Sequence, residues 1–301
     1  MSKYLNFFII TFLFFGGCIE NHYQNKVPKK VNFNNVDGTS KEFFTNNKQT
    51  IYVAVSAMLS PKETLTQYKE LFSYLSKKLN RPIKLKQRKT YGEVNELLKS
   101  GGLDFALVCS GAYVVAKREF PIYILAVPVV RGEHKYQAYI IVNKKSKIYS
   151  FKQLKGKSFA YTDLLSNTGY KYALKLLREN HFDPKTFFSN TIFTHGHDYS
   201  IQAVQRGIVD GATVESLIFN YLKIKDSSKV KNIRIIKKSE KFGIPPLVYT
   251  DKSNKKLVKK IREVLFKMHK TPMGKKILKE LLIDKFIQGK EELYNSVKEF
   301  N

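Results

Sequence analysis

Two spacings of apolar residues alternate along most of the chain. Ile51 to Val55 form a compact run rich in β-branched side chains, the pattern of a buried strand. Beyond Pro61, residues Leu65, Tyr68, Leu71, Phe72, Leu75 and Leu79 recur three or four apart, which predicts a helix starting near that proline. Residues 83–85 read as a second strand. Val94, Leu97 and Leu98 lie on a short helix closed by Gly101-Gly102. Residues 104–108 read as a third strand, residues 112–117 as a helix, and residues 122–130 and 136–143 as strands able to cross between lobes.

A second unit repeats the alternation. Residues 151–156 predict a turn before a strand at Ser158–Tyr161, and Tyr170, Tyr172, Leu174, Leu176 and Leu177 fit a helix after Gly169. Strands are predicted at 192–194, 209–213 and 233–236, with helices at 201–205 and 217–222. The chain returns through Pro245-Pro246-Leu247-Val248-Tyr249 and ends in amphipathic helices around 255–269, 274–282 and 291–299. An α/β chain that leaves one lobe, builds another and comes back makes two connections across a cleft. The expected division is residues 50–130 and 240–301 for lobe 1, and 131–239 for lobe 2. Each lobe is expected to hold a mainly parallel sheet flanked by helices, joined by two crossover strands. Such a cleft suits a small ligand.

The first residues follow another logic. Lys3 precedes an apolar run from Leu5 to Phe15, too short to span a bilayer of ~30 Å, so residues 1–17 read as a signal peptide. Phe15-Gly16-Gly17-Cys18 resembles a bacterial lipobox, which predicts lipidation at Cys18. Residues 18–49, rich in Asn, Lys, Gln, Ser and Thr, read as a flexible tether. The expected location is extracytoplasmic, anchored to the membrane by that lipid.

Composition changes the picture in one respect. Lys and Arg number 53 against 25 Asp and Glu, a formal charge of +28, so nucleic acid has to be considered as a partner. The cations are mostly Lys, spread along the chain without an RNA-recognition, helix-turn-helix or zinc-knuckle signature, and no nucleic-acid role is expected. Two cysteines form no disulfide framework, and no Cys/His spacing points to a metal. Cys109, in the run Phe105-Ala106-Leu107-Val108-Cys109, reads as an inert buried thiol. No metal or cofactor is expected.

Five landmarks then fall in a single order. They are Gly101-Gly102-Leu103-Asp104-Phe105-Ala106 followed by Tyr113; residues 151–157 (FKQLKGK); residues 163–170 (DLLSNTGY); Gly196-His197-Asp198 with Ala203-Val204 and Gly207-x-x-Asp210; and Met268, Pro272, Gly274, Ile277 and Leu278. With these landmarks, residues 51–297 resemble the phosphate/phosphite/phosphonate-binding proteins of ABC importers. The resemblance implies the type II periplasmic-binding-protein-like fold. It also implies capture of a phosphorus oxyanion (phosphite or a phosphonate, with phosphate as a further candidate) and a permease with its ATPase as partner. The expected protein is a monomer and not an enzyme.

The resemblance also implies a site. Ser166, Asn167, Thr168, Gly169 and Tyr170 match the family's ligand loop, Asn167 standing where the family more often has Thr and Thr168 where it has Ser. Ahead of a predicted helix, unpaired N–H groups and the Ser166 and Thr168 hydroxyls can surround a tetrahedral anion, with Gly169 allowing close backbone approach. The same residues also suit a plain N-cap. Tyr91 and Tyr113 match positions that reach the ligand from lobe 1. His197 matches the pocket histidine, with His195 expected on the same face of a strand. Glu215 matches a position usually acidic, which makes sense if the ligand keeps a proton or carries an amine. Asp210 reads as structural. Ser166, His197 and Asp210 could be cast as a catalytic triad, but no G-x-S-x-G elbow supports it. A binding protein that presents a different small ligand to a membrane receptor is the alternative to transport.

Overall fold

The computed structural model describes residues 49–298. The signal peptide, Cys18 and nearly all of the tether lie outside the described residues. Lobe 1 opens with β1 (Ile51–Val55), α1 (Pro61–Leu79), β2 (Ile83–Leu85), α2 (Tyr91–Lys99), β3 (Phe105–Leu107), α3 (Ser110–Glu119) and β4 (Ile122–Val129). The short β5 (Lys135–Tyr136) leads into lobe 2. That lobe holds β6 (Ala138–Asn143), β7 (Ser158–Tyr161), α4 (Tyr172–Glu179), β8 (Asn190–Phe193), α5 (His197–Gln205), β9 (Gly211–Glu215), α6 (Ser216–Lys225) and β10 (Ile233–Lys238). The chain returns through β11 (Phe242–Gly243) to β12 (Leu247–Thr250), α7 (Lys255–Lys267), α8 (Pro272–Leu281), β13 (Lys285–Ile287) and α9 (Asn295–Lys298).

Local signals place several of these elements. Pro61 and Pro272 stand in the first turns of α1 and α8, where a missing N–H costs nothing. Thr90 and Glu93 close a capping box on α2, which fixes Tyr91 as its first residue. Asn80 ends α1 in the left-handed conformation.

Both sheets are mixed, not mainly parallel as the alternation predicts. In lobe 1 the order is β13-β4-β12-β3-β1-β2, with β1 parallel to β2 and β3 but β12 antiparallel to β3 and β4. In lobe 2 the order is β10-β6-β9-β7-β8, with β7 parallel to β8 and β9 but β6 antiparallel to β9 and β10. The reason is connectivity. A strand of a β-α-β unit runs toward the cleft, whereas β6 and β12 enter their lobes from the crossover and must run away from it. The crossover itself is the antiparallel ribbon of β5 and β11, pairing Tyr136 with Phe242.

The lobe 1 core packs Ile51, Val53 and Phe105 against Leu71, Leu75, Ile261 and Leu265. In lobe 2, Phe159 stacks on Phe188 at 4.3 Å and Phe151 on Phe187 at 5.5 Å. The lobes are closed on one another. The Ser60 N–H donates to Asp198 Oδ1 (3.0 Å), the His197 N–H to the Met58 carbonyl (2.9 Å), and the Tyr91 N–H to Asp163 Oδ2 (3.0 Å).

Candidate functional site

The cleft collects the C-terminal ends of strands from both lobes, the usual place for ligands in α/β sheets. From lobe 2, β7 gives way to Thr162 and Asp163. The two Asp163 oxygens accept from Leu165 N–H (2.8 Å) and from Tyr91 N–H across the cleft, so one carboxylate shapes the loop and ties it to α2. Ser166 then caps the next turn, its Oγ accepting from the Gly169 N–H at 2.9 Å. That turn, Asn167–Lys171, winds as a π-helix before α4, a wider form often met at functional sites.

From lobe 1 comes the start of α3. Burial pushes the Cys109 thiol up to about 11, with the nearby backbone N–H groups of Asn167, Gly111 and Ala112 acting in the opposite direction. The Ser110 hydroxyl bonds the Tyr136 hydroxyl at 2.6 Å, and Tyr136 in turn approaches Asn167. The fit is close: a Cβ at Gly111 would stand 2.3 Å from the Leu165 carbonyl and 2.8 Å from the Asn167 nitrogen.

The far wall is His197 and Glu215. His197 Nδ1 receives the Glu215 backbone N–H at 3.2 Å and lies 3.0 Å from Thr162 Oγ1. An N–H can only donate, so Nδ1 is the acceptor, and a neutral ring carries its proton on Nε2. Nε2 lies 3.6 Å from Glu215 Oε2. That separation would suit an ion pair. Full burial argues against it, holding the imidazole down to about 3 and the carboxyl up to about 8. At neutral pH both are uncharged, and both can donate.

What distinguishes this cluster is unmet hydrogen bonding. Tyr91 Oη, both amide atoms of Asn167, Thr168 Oγ1, His197 Nε2 and Glu215 Oε2 are buried without a hydrogen-bond partner among the described residues. The Tyr91 hydroxyl approaches Ser166 without closing a bond. None of these residues is more than 2% exposed. One such orphaned group costs about 1–3 kcal/mol. Several together rival the ~5–15 kcal/mol that holds a whole domain folded. Burial on this scale makes physical sense when a polar ligand completes the bonds.

The structure thus brings together Tyr91, Ser166, Asn167, Thr168, His197 and Glu215. It does not bring Tyr113, whose ring packs on Tyr294 at 4.8 Å and lines a recess with Lys117, Arg118 and Glu291. Tyr170 packs edge-on against Tyr161 at 4.9 Å and against Phe193, within an aromatic group. The close approach at Gly169 is to protein: an added Cβ would meet Thr162 Oγ1 at 2.5 Å and His197 Cε1 at 2.8 Å. His197 opens helix α5, and His195 sits in a left-handed turn at φ 55°, so the expected strand is absent there. Asp210 is structural, its Oδ2 accepting from Ser158 N–H and Oγ at 2.9 and 2.8 Å. Sequence reasoning missed Tyr136, Ser110 and the position of Cys109. Only the crossover placement of Tyr136 marks it among 18 tyrosines.

The titration of Glu215 has two consequences. Its folded pKa is raised, so stability falls as pH climbs from its ordinary value of 4.5 to about 8, where the unfolded carboxyl ionises and the buried one does not. His197 has the opposite sense: stability falls as pH drops from 6.5 toward about 3. Above about pH 8 an ionised Glu215 would also repel an anion in the cluster. Glu215→Gln is expected to keep affinity level across that range while the parent loses it. Equal alkaline loss in both proteins would remove Glu215 from the explanation.

Over residues 53–294 the chain matches the family described as the periplasmic substrate-binding proteins of phosphonate ABC transporters. A phosphonate-transporter binding protein of Pseudomonas aeruginosa superposes with a TM-score of 0.79 at 22% identity, over 84% of this chain and 86% of that one. PhnD1 of Prochlorococcus marinus, solved in complex with methylphosphonate, gives 0.75 at 18% identity, over 83% and 96%. A Xanthomonas citri protein solved bound to ATP gives 0.66 at 14% identity, over 83% and 95%. These likenesses lie in the fold, the two-lobed type II periplasmic-binding architecture. Among the described residues no helix is long and apolar enough to cross a membrane, and no group of side chains is arranged to hold a metal ion.

Proposed function

We infer what the cluster holds from one premise: the chain belongs to the periplasmic substrate-binding proteins of phosphonate ABC transporters. Its ligand is a phosphonate or a close phosphorus oxyanion such as phosphite, taken between the lobes and handed to an ABC permease with its ATPase. The observation that carries this reading is the buried set of unpartnered groups contributed by both lobes: Tyr91 from lobe 1 and Asn167, Thr168, His197 and Glu215 from lobe 2.

The chemistry fits a tetrahedral anion. Thr168 Oγ–H, the Asn167 amide N–H, the Tyr91 hydroxyl, His197 Nε2–H and a protonated Glu215 are donors, and hydrogen bonds from donors to an ionised oxygen are the strong ones. Because the donors are neutral, no cation must be desolvated to build the site. Since both lobes supply donors, a bound anion favours the closed form over the open one, which is the form a permease can recognise. No step of this cycle makes or breaks a bond in the ligand.

Calorimetric titration tests the reading, with methylphosphonate, 2-aminoethylphosphonate, phosphite, phosphate and sulfate as ligands. At least one phosphorus anion is expected to bind far more tightly than sulfate. Silence from folded, ligand-free protein across the whole set would overturn the assignment.

The anchoring is proposed from the sequence at Cys18, with the folded part working as a monomer beside the membrane. Cys18→Ala is expected to abolish incorporation of a fatty-acid label and release the protein from the membrane fraction. Full labelling of the variant would place the lipid on another residue.

A further inference from the structure

A cavity of about 340 Å³ runs between the lobes from the anion cluster toward the crossover ribbon. It shares Met58, Tyr136, Glu215 and Ser216 with the cluster or its immediate neighbours. Beyond them its walls are mostly apolar, with Tyr68, Leu71, Phe105 and Leu107 on lobe 1 and Leu217 and Ile218 on lobe 2, although Arg131, Glu133, Lys135 and Lys241 also line it. With a water claiming about 30 Å³, the space corresponds to roughly ten heavy atoms. Phosphite has no organic group at all, and methylphosphonate has a single methyl, so neither uses this space. The cavity volume falls instead in the range typical of sites for small organic molecules, ~300–1,000 Å³.

We propose that the phosphorus of the natural ligand carries an extended, mainly apolar organic group of about four or more carbons that lies in this cavity. The inference rests on the phosphorus-oxyanion reading of the cluster and deepens it. Three features support the direction of the group. The cavity begins at the donor Glu215 and at Tyr136 beside it, so an anion there has a roomy exit for a substituent. The exit passes between α1, which contributes Tyr68 and Leu71, and the first turns of α6, which contribute Leu217 and Ile218. Each lobe therefore touches the group as well as the anion, and burying it adds apolar contact only when the lobes are closed. Among the polar side chains that line the cavity, Gln67 has its amide oxygen buried without a partner among the described residues. It can accept from a hydroxyl or ammonium on the group.

The test is a titration series of the protein with phosphite and with methyl-, propyl-, butyl-, hexyl- and phenylphosphonate. Affinity is expected to rise along the series, with butyl- or phenylphosphonate bound at least about tenfold more tightly than methylphosphonate. Leu217→Trp, at a half-buried position on the cavity wall, fills part of the space and removes none of the anion donors. It is expected to cost hexylphosphonate at least about tenfold more than it costs methylphosphonate. Flat or falling affinity from methyl to hexyl, with methylphosphonate bound, would overturn this inference alone. Silence along the whole series would overturn it together with the phosphorus-oxyanion reading.

Discussion

Replacing Gly111 by alanine is expected to weaken ligand binding at least a hundredfold while leaving the lobes folded. The added methyl would stand 2.3 Å from the Leu165 carbonyl and 2.8 Å from the Asn167 nitrogen, and both neighbours are backbone of the opposite lobe. Neither can rotate away, so the lobes must part. Parting them draws the Tyr91 hydroxyl away from Ser166 and the loop it opens, and the closed form that binds becomes a minor population. A hundredfold loss follows once that form falls to about one per cent of its former share. The start of α3 itself has no objection to alanine, which is the better helix former by about 1 kcal/mol. The melting temperature of the ligand-free variant is therefore expected to stay within a few degrees of the parent. Unchanged affinity would mean that binding does not need this closed contact.

The second large effect separates two hydroxyls that the sequence treats alike. Thr168 Oγ1 is buried and unpartnered, so Thr168→Val removes a ligand contact and no internal bond. Affinity is expected to fall by roughly tenfold to a hundredfold, the span of one hydrogen bond to a charged group at ~1.5–3 kcal/mol. Stability without ligand should hold or rise, because the valine leaves no orphaned polar atom. Ser166→Ala behaves differently. Its Oγ caps the Gly169 N–H, so its loss also costs about 1 kcal/mol of stability. The cap reading of Ser166-Asn167-Thr168-Gly169 holds in the fold at Ser166, and the proposed ligand contacts rest on Asn167 and Thr168 instead. Equal losses of stability in the two variants would contradict that division.

The sequence leads to part of this site by local means. A helix-capping tract after a strand marks Ser166 to Thr168 within a few residues, whereas Glu215, His197 and Tyr91 are reached only through the family resemblance. Tyr113 and Tyr136 show where local reasoning stops. Each is a tyrosine beside a predicted element, and their roles differ only because α3 turns one toward the C-terminal Tyr294 while the crossover ribbon delivers the other to Ser110 and Asn167. Those are long-range facts. The sheets follow the same rule. Alternating strands and helices reveal the parallel units around β1 and β7, but the reversed sense of β6 and β12 comes from the crossover, which no periodicity records. Cys109 falls between the two cases. Its burial is readable from its apolar run, but its seat against the ligand loop is not.

A crystal structure of the protein grown with methylphosphonate would locate the anion. Phosphonate oxygens are expected within hydrogen-bond distance of Thr168 Oγ1, the Asn167 amide and the Tyr91 hydroxyl, with His197 Nε2 and Glu215 beside them. A phosphonate seated elsewhere in the cleft, with those groups still unpartnered, would contradict that placement.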